Sequence, residues 1–567
     1  MNRKKNPILS VLLLLLSSFF ILSGCSDASP SDAKAKAEKK QEDKYEKLVK
    51  EKNKELELQP LELGSYNEEI GSTFSSPEHK EFAVNGKVVV EGKIDKFSSL
   101  KSDYILIKVS ADEEGPAGQQ HEYYAKLKEG KYKQTIRFFN GEGKYHVSVH
   151  IPSNETENYY FEATAFDVHN VNPDIERDLV LTPFGQDAEV ALGVDSGYVK
   201  ENEIFRLEGE AGNLTDEDTV MLQLTKDMES WKHIMPIKDG KFSYDVPLFY
   251  GKGVHELEVL VPDEERENYY QTATTILIDN ESDKTMLPIE YMDQYLERGV
   301  TLESPVYGGE ETDGMYSIKG KIDPNAEFGP DTTHIYITTK KGEDEALDVI
   351  PVKDFTFDDS FYLRFGPGTY EVILSVPEIK EENSDYFRFY GFARFEVEST
   401  GEDQRDLLPS RGVQSDSEPI RQLASEITAG KSTERDKAKA IYEYVAKTVA
   451  YDVEKLETDD FEWDDSALKT LDLKTGVCQD YSYLTIALMR ASDIESRFVE
   501  GMARGGWWPS RHAWVEAEID GKWITMDPTW GSGYVDDGKF VAKYDEKYFD
   551  PNMTEFEKTH TRTGISY

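Results

Sequence analysis

The chain has 567 residues, with 110 Asp and Glu against 65 Lys and Arg, a net charge of −45 and only two cysteines. A surface this acidic repels phosphate, which sets nucleic acid aside as a partner. It also repels anionic lipid, so basic residues cannot hold it to a membrane. At about 100–200 residues per domain, the length predicts three to five domains.

In chain order, the cationic start Met1-Asn2-Arg3-Lys4-Lys5 leads into an apolar run from Ile8 to Leu22. This is the layout of a secretory signal, and the run falls short of the ~20 apolar residues that span a bilayer. It ends in Leu22-Ser23-Gly24-Cys25, which resembles the lipobox of bacterial lipoproteins. The resemblance implies a signal peptide over residues 1–24, cleavage before Cys25, lipidation of its thiol, and an extracytoplasmic protein lipid-anchored to the cell membrane. Each buried CH₂ of such a chain contributes about 0.8 kcal/mol. With Cys25 lipidated, Cys478 has no partner for an internal disulfide, and stability must come from core burial. Residues 25–70 mix Lys, Glu and Ala with few apolar residues and predict a solvated stalk, partly helical.

The middle of the chain repeats. "GEGKYHVSVHIP" (141–152), "GKGVHELEVLVP" (251–262) and "GPGTYEVILSVP" (366–377) share a Gly-x-Gly, an alternating strand and a closing Pro. Each is followed by an aromatic pair: Tyr159-Tyr160, Tyr269-Tyr270 and Tyr386-Phe387. Upstream strands centred on Gly92, Gly209 and Gly320 recur 117 and 111 residues apart, a period of one small domain. Alternating apolar and polar residues predict half-buried antiparallel sheets. The architecture expected is three tandem β-sandwiches, loosely immunoglobulin-like, over 71–175, 176–283 and 284–404. The Gly-x-Gly elements precede strands and open no helix, so they predict tight turns and no dinucleotide site.

After about residue 405 the period becomes helical. Ile420, Leu423, Ala424 and Ile427 form one apolar face, and Ala438, Ile441, Tyr442, Val445 and Val449 another, with Ser432 or Thr433 as a cap. A separate α+β domain over 405–567 is expected to fold alone. Within it, Cys478 opens a helical pattern of Tyr481, Leu484, Leu488 and Ala491, so the thiol sits where free N–H groups and the helix dipole favour a thiolate. A thiolate nucleophile wants an imidazole. Two histidines lie beyond residue 405, His512 and His560, and His560 reads as part of a polar tail. His512 opens the hairpin "HAWVEAEIDGKWITMDPTW" (512–530), whose Asp520-Gly521 turn pairs Ile519 with Lys522. Asp527 then lies opposite Trp514, on the face of His512, with diagonal neighbours about 7–8 Å apart. The hairpin by itself predicts a His–Asp pair. Acidic stretches such as "EWDDSA" lack the spacing of a calcium loop, and no metal or cofactor is expected.

"GVCQDYSYLTIALMRASDIESRFVEG", "HAWVEAEIDGKW" and "DPTW" resemble the transglutaminase-like superfamily, a branch of papain-like cysteine enzymes, over about 435–535. The resemblance implies Cys478 as nucleophile, His512 as general base and Asp527 as the residue that orients His512. It also implies an oxyanion hole from the Cys478 N–H and an upstream donor, for which Tyr451 and Trp463 are candidates. Trp507 and Trp508 either line the acyl-substrate cleft or cap the core. The function implied is a membrane-anchored cysteine enzyme acting on amide bonds of envelope protein or peptidoglycan peptide by thioester acyl transfer: a transglutaminase, deamidase or peptidase. The alternative is a non-catalytic envelope module that binds a partner through the β-domains and an inert transglutaminase-like domain.

Overall fold

The computed structural model describes residues 44–379, 388–505 and 509–567. The signal segment, Cys25, Trp507, Trp508 and the Tyr386-Phe387 pair lie outside these residues. The chain divides into two compact units, with the division between Arg177 and Asp178. Among the described residues no helix is long and apolar enough to cross a membrane.

In the first unit residues 44–55 are helical. Two sheets follow. One has five strands in the order Glu81–Val84, Tyr160–Asn170, Gly143–Pro152, Tyr104–Gly115 and Gly118–Lys126; the other orders Ser72–Ser76, Lys87–Ile94 and Lys131–Arg137. Strand alternation sends Ile107, Val109, Val147, Val90 and Ile136 into the core, all fully buried.

The second unit begins with two more such pairs. Tyr198–Glu201, Tyr270–Asn280, Gly253–Pro262, Thr219–Lys226 and Glu229–Pro236 form one sheet, and Lys241–Pro247, Ile204–Ala211 and Val190–Leu192 its companion. Then Glu290–Tyr291, Phe389–Ser399, Gly368–Pro377, His334–Lys341 and Asp344–Pro351 accompany Val300–Ser304, Met315–Ile322 and Thr356–Tyr362. In each region a short strand joins the larger sheet in parallel, as Glu81–Val84, Tyr198–Glu201 and Glu310–Thr312 do.

The recurring glycines have a steric cause. Gly92, Gly209 and Gly320 pair across the ladder with Tyr132, Phe242 and Phe357. A Cβ on any of them would meet that side chain at 2.3 to 2.4 Å. The aromatic lies over the bare backbone and covers what the missing side chain leaves open. The first glycines of the Gly-x-Gly elements, Gly141, Gly251 and Gly366, have φ between +68° and +80°, which is turn geometry.

The remainder is mixed. A four-stranded antiparallel sheet, ordered Lys522–Met526, Ser510–Ile519, Ser496–Ala503 and His560–Ser566, packs on helix Cys478–Arg490, against which helices Glu418–Thr428 and Glu434–Thr448 lie. Ile420, Ala424, Ile441, Tyr442 and Val445 share one core with Tyr481, Leu484 and Leu488, and with Val515 and Met526 of the sheet. Each fully buried Leu or Val contributes roughly 1.5–3 kcal/mol. Thr433 caps the second helix by accepting from the Asp436 N–H. The Cys478–Arg490 helix is buried from Asp480 to its end. Its closing Arg490 donates to the Ser496 carbonyl at 2.7 and 3.0 Å and to Leu408 O at 2.5 Å.

This domain is stitched to the preceding β-region. The Tyr567 ring packs on that region's core, 5.6 Å from Phe365, and its carbonyl accepts from the Leu347 N–H at 3.1 Å. Arg405 pairs with Asp344 at 2.9 Å. A 405–567 fragment uncovers these surfaces. It is expected to fold but to unfold at lower urea than the same domain within the full chain. Tyr567→Ala in the full chain should cost about 2 kcal/mol, less than a fully buried aromatic would. Equal midpoints would show that the joint adds nothing.

Candidate active site

The site begins at a pinned turn. Thr475–Gly476 pairs in parallel with Ala450–Tyr451, which sets Tyr451 beside Gly476. Asp480 folds back so that its Oδ2 accepts the Val477 N–H at 2.8 Å. A Cβ on Gly476 would strike Asp480 at 2.4 Å. Burial raises the Asp480 acid, and Lys455, bonded to both its carboxylate oxygens at 3.0 and 3.2 Å and to Asp465 at 2.9 Å, opposes that rise. The turn therefore delivers Cys478 as the first residue of the helix, partly exposed.

His512 arrives from the hairpin in the expected register. Ile519 pairs with Lys522 and Val515 with Met526, so Asp527 leaves the strand across from Trp514. His512 Nε2 and Asp527 Oδ2 are 2.8 Å apart. The carboxylate is fully buried and also caps the Pro528–Ser532 turn, with Oδ1 accepting the N–H groups of Thr529 at 2.9 Å and Trp530 at 3.0 Å. With Nε2 committed to Asp527, Nδ1 is the nitrogen left for Cys478. Burial works against a charged His512 ring. The charge and hydrogen bond of Asp527, then those of Cys478, outweigh it and push the imidazolium up to about 10. Asp527 moves the opposite way: burial would raise it, but His512 and His560 hold it well below the usual carboxylate range. Tyr451 lies within the field of Cys478, Asp527 and Asp480. Burial first, then those charges, keep its phenol protonated and able to donate.

The structure thus brings Cys478, His512, Asp527 and Tyr451 together. Trp463 is engaged elsewhere: its ring stacks on His334 of the preceding β-region at 4.4 Å and 11°. The reading of His560 as part of a polar tail is overturned. Its side chain is fully buried, and its Nε2 lies 3.1 Å from Asp527 Oδ2. Strand His560–Ser566 joins the sheet beside Ser496–Ala503 and carries the ring inward. "FEKTHTRTGISY" is too polar to announce that burial, and only the long-range pairing reveals it.

One atom each from His512, Asp527 and His560 lie within 4.8 Å of one another, residue types that hold zinc-class ions. Both Nε2 atoms already hydrogen-bond Asp527, which accounts for the cluster without an ion.

Residues 421–528 match the family model described as the transglutaminase-like superfamily. The chain carries a C-terminal transglutaminase-like domain. The match contains Cys478, His512 and Asp527 and stops short of His560. The chain is 28% identical over 155 residues to the kyphoscoliosis peptidases of Mus musculus and Homo sapiens, covering 25% of this chain. It spans about a quarter of the length of these curated relatives, at 23%. A solved chain from Cytophaga hutchinsonii, described provisionally as a cysteine protease, aligns over 44% of this chain and 86% of its own, at 18% identity and a TM-score of 0.21.

The site ties stability to pH. His512 is raised from its ordinary 6.5 to about 10, so its contribution is complete below about 6.5 and is lost as pH climbs through about 10. Asp527 is depressed, so its contribution is present above its ordinary 3.8 and fades on acidification. The Tm advantage of the native protein over a His512→Gln variant should shrink steadily from about pH 7 to about pH 10. A gap that stays constant over that range would show that His512 carries no charge in the folded state.

Proposed function

We propose that the transglutaminase-like domain is a cysteine enzyme that acts on amide bonds through a thioester. The observation that carries this reading is His512, with Asp527 on Nε2 at 2.8 Å and Nδ1 left for a helix-terminal Cys478. The Cys478 sulfur, its proton already held by His512 Nδ1, attacks the carbonyl carbon of a carboxamide or peptide bond. The Cys478 N–H and the Tyr451 hydroxyl receive the developing oxyanion. His512 gives the proton to the departing ammonia or amine, leaving a thioester. An amine resolves it to a crosslink, and water resolves it to an acid. Asp527 holds the ring in the required tautomer and stabilises its charged form.

The β-regions support a reading as three tandem immunoglobulin-like modules, since each pairs a three-stranded sheet with a larger one in the same strand order. Tyr145 and Tyr370 both donate to the carbonyl four residues upstream, at 2.9 and 2.8 Å, a corner contact of such folds. We place this array between a lipid on Cys25 and the enzyme domain, holding the site off the membrane toward envelope protein or wall peptide.

A glutamine-peptide assay with amine or water as acceptor tests the chemistry. Cys478→Ala and His512→Ala should each abolish turnover in a folded domain, and combining them should add little. Asp527→Ala should cost less, and Tyr451→Phe about 10²–10³-fold in kcat. Correct folding without turnover on any amide would favour the binding module instead. For the anchor, Cys25→Ala should release the protein into the medium or leave it unprocessed. A variant that stays membrane-bound with an unchanged mature N-terminus would refute lipidation.

A further inference from the structure

Asp527 has room for four hydrogen bonds, two per oxygen, and all four are made. Oδ1 takes the Thr529 and Trp530 N–H groups, while Oδ2 takes His512 at 2.8 Å and His560 at 3.1 Å. The backbone donors fix one oxygen, and without His560 the other would be held by His512 alone. His560 is itself immobilised. Its ring lies flat on Phe556 at 3.8 Å and 8°, with Trp530 at 4.5 Å and Trp514 at 5.5 Å. Pairing of His560 with Ala503 sets its height in the sheet. Nε2–H donates to the carboxylate. Nδ1 lies 2.9 Å from the Thr559 hydroxyl, which donates to Phe556 O at 3.1 Å, and 3.4 Å from that same carbonyl oxygen. A phenyl ring would fill this apolar slot with no polar atom to satisfy. An imidazole buried to 0% is tolerated only because both nitrogens have partners.

We infer that His560 is a positioning residue for the acyl-transfer site: together with the N-cap contacts it locks the Asp527 carboxylate, and through it the plane and tautomer of His512. This rests on the function proposed above, but its geometry lies outside the matched family span of residues 421–528. His560 also shares the negative charge of Asp527 with His512, so removing it leaves more of that charge to His512. The other titratable groups that face Asp527 are the phenols of Tyr442, Tyr451 and Tyr481, and Cys478 faces His512.

Two substitutions in the full chain separate donor from filler. His560→Phe keeps the stack and the volume and removes the donor. His560→Gln removes the ring and places an amide N–H near the position of Nε2. In the glutamine-peptide assay His560→Phe should lower kcat about 10- to 100-fold with KM little changed, while His560→Gln stays within about threefold of the native protein, the scale expected for a misplaced catalytic group. A second readout needs no substrate: the alkylation rate of Cys478 by iodoacetamide across pH. The upper limb, where His512 gives up its proton, should move to higher pH in His560→Phe and stay in place in His560→Gln. If the native protein turns over no amide, the acyl-transfer reading fails and the alkylation profile alone decides: a shift confined to His560→Phe supports the positioning role, and its absence refutes it. If the native protein is active and His560→Phe matches it in kcat and profile, the positioning role is refuted and the enzyme reading stands. Should His560→Phe not fold, the Gln variant decides, with native kcat and profile supporting the role and loss of both in a folded protein overturning it.

Discussion

The transglutaminase-like domain turns on one buried carboxylate. Asp527 is removed from water and carries a charge, which would be costly for an unpaired acid. Four donors offset that cost: two backbone N–H groups of the turn it caps and two imidazoles. These four donors come from three separate constraints. The N–H groups require the Pro528–Ser532 turn to start at Asp527, His512 requires the hairpin register, and His560 requires a strand from later in the chain on the far side of the sheet. Each constraint that is met lowers the cost of keeping the charge buried, so the site draws on the turn, the hairpin and the last strand together.

The Cys478 side of the site follows the same logic with another acid. Asp480, at the third position of the Cys478 helix, folds back onto the Val477 N–H. It could not do so if Gly476 carried a side chain. Lys455 bridges it to Asp465. The thiol is left at the exposed end of a helix otherwise sealed in the core. Rigidity sits behind the sulfur and access in front of it.

The β-regions obey a different economy. Their strands repeat because one steric solution repeats: an aromatic ring laid across a bare glycine in the smaller sheet. The joint between the last β-region and the transglutaminase-like domain is built from individual contacts, among them Tyr567 on Phe365, Arg405 on Asp344 and Trp463 on His334. These contacts explain why Trp463, adjacent in sequence to residues around the site, is turned toward a neighbouring domain.

Whatever depended on local period was legible in the residues alone. Alternation marked the strands, three-and-four spacing marked the helices on Ile420 and on Ile441, and the Asp520-Gly521 turn set a register that put His512 and Asp527 on one face. These features arise between residues close in sequence, where backbone geometry leaves few choices. The placement of His560 was not legible, because nothing within "EKTHTRTG" distinguishes a solvated tail from an edge strand. Its burial comes from pairing with Ser496–Ala503, more than fifty residues away. Trp463 misled for the same reason, since its partner His334 lies in another domain. Sequence by itself determined which groups could do the chemistry and how the hairpin brings two of them together. Tertiary packing alone decided what surrounds Asp527, because the cost of burying a charge is met by whichever donors the whole fold delivers.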